Sequence, residues 1–110
     1  MAFIRRKSKA YPWPVEIKRP SETNAGEFET EKFTIKFKRL SKKELDAFSK
    51  ADEDKALEKI VVGWSDISEE DGTEIHFTKT NLKEFSEDID FVAGVVEAFQ
   101  AFYSKGKEGN

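Results

Sequence analysis

No cysteine occurs in this 110-residue chain. Disulfides, thiolate metal sites and cysteine nucleophiles are excluded together. Histidine is nearly absent: His76 stands alone. A zinc site needs several His or Cys ligands, so none is expected, and no other metal or cofactor is expected either. Long apolar runs are missing too. Nothing approaches the ~18 residues of a membrane span, so no membrane association is expected. The opening Met1-Ala2-Phe3-Ile4-Arg5-Arg6-Lys7 has no apolar core after its charges, unlike a secretory signal. These absences lead to the expectation of a soluble intracellular protein.

Phosphate loops are also lacking. Lys105-Gly106-Lys107 is no Walker motif, and Gly63 and Gly72 stand singly. The stretch Asp66-x-Ser68-x-Glu70-Asp71-Gly72 resembles a calcium loop but fails on register. The sixth position is Asp71 rather than glycine, and the twelfth is Phe77 rather than glutamate. A Ser-His-Asp arrangement stays open from sequence alone. His76 has no nucleophile elbow beside it, however, and the neighbouring carboxylates lie in a solvated run. An enzyme is not expected, and His76 reads as a solvent-side strand residue.

What the chain does have is aromatic bulk and charge. Ten Phe and two Trp accompany 37% charged residues. That is enough for one modest core in one domain. Charge is unevenly spread: residues 1–50 hold 13 Lys/Arg against 7 Asp/Glu, and residues 51–110 hold 6 against 15. Either the halves pack together and neutralise each other, or the surface carries two signs and steers association.

Residues 1–12 read as a flexible basic arm, residues 13–104 as a single domain, and residues 105–110 as a frayed tail. A basic arm could touch nucleic acid, but four cations before an acidic body make that a weak case. Residues 13–19 alternate as a half-buried strand, with Trp13, Val15 and Ile17 on one face. Pro12 and Pro14 place its start at a sheet edge. Residues 28–40 form the second strand, with Phe33, Ile35 and Phe37 sharing a face. The two pair antiparallel and need helices across their apolar side.

Ser41-Lys42-Lys43-Glu44 has capping-box spacing. After a polar break at residues 49–54, Ala56, Leu57, Ile60, Val61 and Trp64 repeat at helical spacing. This predicts a helix over residues 52–62, ended by Gly63 with Trp64 turned inward. Asp71-Gly72 marks a turn, and Ile75 and Phe77 alternate as a short strand. Thr78 caps a helix through Leu82 and Phe85. After a break at residues 86–88, a final helix is predicted over residues 89–103. Ile89, Val92, Val96, Phe99 and Tyr103 share one sector of it. Phe91, Val95, Ala98 and Phe102 share the next, so the apolar arc is roughly 180° wide. Both sectors could be buried, or one could be an exposed patch for a partner. Phe91, Val95, Phe99, Phe102 and Tyr103 are therefore the candidate partner-binding residues. The fold class is α+β: an N-terminal antiparallel hairpin or sheet packed against C-terminal helices.

Three segments carry a family likeness. They are Tyr11-Pro12-Trp13-Pro14-Val15; Phe33-Thr34-Ile35-Lys36-Phe37-Lys38-Arg39-Leu40-Ser41; and Val61-Val62-Gly63-Trp64 followed by Asp71-Gly72, Phe77-Thr78 and Asn81-Leu82. In this order, over residues 11–103, the chain resembles the tail assembly chaperones of long-tailed bacteriophages and prophages. Trp13, Gly63, Trp64, Asp71, Gly72 and Phe77 are the diagnostic positions. His76 departs from the pattern by standing where proline is expected. The resemblance implies a non-enzymatic protein of the host bacterial cytoplasm. Such a protein binds the helical, apolar tape-measure protein, promotes tail-tube polymerisation round it, and leaves before the virion is complete. It also implies a longer form made by programmed frameshifting near Lys105-Gly106-Lys107, which recruits the tube protein. The other readings are a structural tail protein, such as a tube or joining subunit, and a small nucleic-acid or host-protein binding module.

Overall fold

The computed structural model describes Phe3 and residues 10–108. Two long strands come first: β1 (Ala10–Pro20) and β2 (Phe28–Lys38). They pair antiparallel over their full length, with Trp13 opposite Ile35 and Val15 opposite Phe33. Val15, Ile17, Phe33, Ile35 and Phe37 point to one face and are buried. Lys18, Lys32 and Lys36 occupy the other face, which is exposed. β1 is an edge strand, so Pro12, Pro14 and Pro20 can lack an N–H without breaking the sheet. The expected arm over residues 1–12 overlaps this strand, which begins at Ala10. Its earlier residues, Phe3 apart, lie outside the described ones.

Two short helices follow, α1 (Lys42–Lys50) and α2 (Glu53–Ile60). The capping box at α1 is complete. Glu44 N donates to Ser41 Oγ at 3.2 Å, and Ser41 N donates to Glu44 Oε1 at 2.9 Å. The break between the helices is shorter than the polar run suggested, because α1 continues through Lys50.

Residues 61–65 depart from the predicted helix. α2 stops at Ile60 and the chain passes directly into a third strand, β3 (Val61–Ser65), beside β2. Gly63 therefore lies in a sheet, opposite Lys36, and does not end a helix. The register shifts between Lys36 and Phe37, so Trp64 faces Ile35 while Val61 faces Phe37. Residues three apart in a regular strand point to opposite faces; one extra residue brings both inward. Val62 is that residue, and it is exposed. The bulge thus converts an apolar spacing of three into a strand pattern. From sequence that spacing reads as helix.

The expected strand at Ile75 and Phe77 is reduced to a bridge between Ser68 and Glu74, with Ile75 N donating to Ile67 O at 2.8 Å. Gly72 turns this loop at φ +92. Asp71 Oδ1 accepts from Thr73 N at 2.9 Å, and its carboxyl is held below the usual range by that bond.

Thr78 caps α3 (Lys79–Phe85), its hydroxyl accepting from Asn81 N at 3.0 Å. Asp88 Oδ1 then accepts from the amides of Asp90 and Phe91, and α4 (Ile89–Glu108) begins. α4 outlasts the predicted helix, and Gly106 lies within it rather than past its end. The expected frayed tail is helical as far as Glu108. α4 lies across the inner face of the sheet, closest to β1. At Gly94 a Cβ would stand 2.9 Å from the carbonyl oxygen of Glu16 and 3.0 Å from Ile17 Cγ1. Glycine is what lets the helix come this close. The result is an α+β fold, a three-stranded antiparallel sheet with the helices gathered on one face.

Candidate functional site

The apolar arc of α4 is mostly core. Phe91, Val95, Phe99 and Phe102 are buried, Val95 completely, and Tyr103 is half-buried. Phe91 stacks on Phe33 at 5.6 Å, and Phe99 and Phe102 sit against Phe37 at 5.3 and 5.5 Å. The Tyr103 hydroxyl is tied to the backbone of Leu40, accepting from its amide and donating to its carbonyl. These five residues therefore do not form an exposed patch. The sheet and the β2–α1 corner cover them, because an arc this wide meets two neighbours at once.

The exposed side of α4 is different. Ile89, Ala93, Glu97, Gln100 and Ser104 face outward, with Val96 half-buried among them. Ile89 is 80% exposed. In projection Ile89 shares a sector with Val92, Val96, Phe99 and Tyr103, of which Val92 and Phe99 are buried. Side chains in a helix lean toward its N-terminus, so a residue in the first turn overhangs the break before it and misses the sheet.

Two shallow apolar grooves lie along this side. One, of about 650 Å³, is walled by Ile89, Val92, Ala93 and Val96, with Glu87 and Glu97 at its margin. The other, of about 500 Å³, is formed with α1 by Leu45, Phe48, Phe99 and Tyr103, with Arg39 and Lys42 at its margin. The exposed, polar Gln100 borders both grooves. Leu45 is exposed there on the α1 side. The Arg39 guanidinium is held over the Tyr103 ring at 4.2 Å.

The positions that carry the family likeness take part in packing and turns. Trp64 Nε1 donates to Ile75 O at 2.8 Å, and Phe77 meets the indole edge-on at 5.0 Å. Trp64 thus pins the loop that Asp71 and Gly72 turn. Trp13 packs edge-on against Phe102 at 5.4 Å. His76 is exposed, 3.8 Å from Glu74 Oε2, on the solvent side as expected though outside a strand.

Arg19 ties the two halves together electrostatically. It reaches Asp88 at 2.8 Å and Asp90 at 3.6 Å, as well as Glu31 at 3.2 Å. The hydrogen bond to Asp88 raises the guanidinium pKa further. At Asp88 burial pushes the carboxyl up, but the bonds from Arg19, Phe91 and Asp90 together outweigh it and leave it lowered. Lysines of the open sheet face pair instead within their own half, Lys32 with Glu16 and Lys38 with Glu44.

Among the described residues no group of three or more His, Asp or Glu is placed to hold a metal ion, and no helix is long and apolar enough to cross a membrane. A scan against protein-family models found no match, and searches of curated proteins and of solved structures found none either.

Proposed function

We propose that this chain is a tail assembly chaperone of a long-tailed phage or prophage, working in the cytoplasm of the bacterial host. It holds the tape-measure protein in solution, promotes tail-tube polymerisation and is left out of the virion. A frameshift-extended form recruits the tube protein, and copies of the chaperone associate with one another. The observation that carries this reading is the pair of apolar grooves beside the outer side of α4. Ile89, Ala93, Val96 and Leu45 are accessible there on an otherwise charged body. A client helix of apolar character suits such a groove, as in helix-in-groove recognition. The likeness of residues 11–103 to the chaperone family supports the same reading.

The test is co-expression with the phage's tape-measure protein. The client should stay soluble and co-purify with the parent chain. Ile89→Glu should lose it with an unchanged melting temperature, because that side chain lies outside the core. Abundant copies of the chain in purified virions, found by mass spectrometry, would replace this reading with a structural tail protein. Salt-dependent DNA binding lost on deleting residues 1–9 would replace it with a nucleic-acid module.

A further inference from the structure

We infer that the cleft between the turn end of the β1–β2 hairpin and the loop over residues 66–75 receives the N-terminal arm of a second copy. Phe3 of that copy sits on the apolar floor of the cleft, and the cations behind it lie over the acidic rim. This gives a contact to the self-association proposed above, on which it rests, and makes no use of the client surface.

The cleft encloses about 520 Å³. Ile67, Ile75 and Phe85, each half-buried, line its floor, and Asp66, Glu69 and Glu70 stand exposed at its rim. Among the described residues no ion pair engages these three carboxylates. The two cations of the lining are already taken: Arg19 is held by Asp88 and Glu31, and Lys32 lies 3.8 Å from Glu16. The occupant that complements this cleft is an apolar group followed by positive charge.

The chain carries one such segment itself. Phe3 is 94% exposed. Arg5, Arg6, Lys7 and Lys9 follow it before β1 begins at Ala10. A large exposed ring and four cations meet an open apolar floor and three unpaired carboxylates.

Reach decides whose arm it is. The β1 residues of the cleft, Ile17 and Arg19, stand seven and nine residues from Ala10, or about 23 and 30 Å at ~3.3 Å per residue. Phe3 precedes Ala10 by seven residues and reaches at most about 24 Å when fully extended. The chain's own arm would have to run straight along the sheet, whose inner face α4 covers. It would then still have to cross two strand spacings, about 10 Å, to the rim beyond β3. The arm of a second copy meets no such limit. Arm and cleft are different surfaces, so the contact is heterologous and can repeat from copy to copy.

Sedimentation of the full-length chain at low salt tests the inference. The parent should self-associate, and salt should weaken the association by screening the rim. Phe3→Ala and the double variant Glu69→Lys/Glu70→Lys should each weaken it about tenfold or more. Glu58→Lys, on α2 and outside the cleft, should match the parent. Mixed together, the Phe3→Ala and Glu69→Lys/Glu70→Lys chains should pair one to one, because one keeps its cleft and the other its arm. The chain has no cysteine of its own, so Ala2→Cys accepts a single nitroxide. Added to isotope-enriched parent, the labelled chain should broaden the amides of Ile67 and Ile75. A parent that stays monomeric, or an association indifferent to Phe3→Ala, would overturn the inference and leave client binding to its own test. Broadening that arises within a labelled chain and persists on dilution would seat the arm in its own cleft and overturn the second copy. A monomeric parent that binds DNA through residues 1–9 would give the arm to nucleic acid instead.

Discussion

Gly94 decides how near α4 lies to the sheet. A methyl group there would meet a backbone oxygen, Glu16 O at 2.9 Å, which cannot swing aside as a side-chain tip can. Alanine normally favours a helix over glycine by about 1 kcal/mol. Here overpacking costs about 1–3 kcal/mol and wins. Gly94→Ala should therefore lower the urea midpoint of unfolding with the slope unchanged. A gain in stability would show that helix and strand separate easily. In the sequence this glycine reads as part of the polar side of the helix. Its reason lies on β1, more than seventy residues earlier, and no local pattern records it. Asp88 and Thr78, by contrast, were readable as a break and a cap, because each acts on amides two or three residues ahead. The five aromatic and apolar residues proposed for partner binding were visible as an arc. Which part of that arc is covered depends on neighbours that sequence does not place. Ile89, the residue left open, lies in the wider arc but outside those five.

Elements with local causes were the legible ones. β1 alternates along its length and β2 from Phe33 onward, and α1 announces itself by Ser41 and Glu44. β3 was not legible because its bulge mimics helical spacing, and α2 runs into it with no breaker between. Glu44, held by Lys38 and by the capping box, also gives α1 a pH dependence. Glu44 is lowered to about 2, first by the hydrogen bond from Lys38 Nζ at 2.7 Å and then by the Ser41 amide. A depressed carboxylate contributes stability that is fully present above its unfolded value, about 4.3. That contribution is lost as pH falls toward about 2. Glu44→Gln should flatten the stability profile through this window when melting is followed by circular dichroism. An equally steep profile in the variant would remove Glu44 as the source. Ser41→Ala, measured at neutral pH, should cost about 1 kcal/mol.

On the scale of the whole molecule, the sheet presents lysines on its open face and the helices lie on the other. The class, α+β with an antiparallel sheet, followed from the order of patterns along the chain. The closing of the sheet by β3 did not, because it joins residues 34–37 to residues 61–65 across two intervening helices. A local hairpin forms faster than such a distant pairing.

The placement of the two indoles gives this assembly an optical consequence. Trp13 touches Phe102 near the far end of α4, and Trp64 touches Phe85 at 5.2 Å and Phe91 at 6.4 Å near its start. One emitter thus reports on each end of the core. Trp13→Phe leaves Trp64 as the sole indole, and Trp64→Phe leaves Trp13, each excited selectively over the two tyrosines. Matching emission and circular dichroism midpoints within each variant would mark one cooperative unit. An emission change that precedes the loss of helix in the Trp13→Phe protein alone would reveal that the β3 end opens first, with the long hairpin still clasping α4.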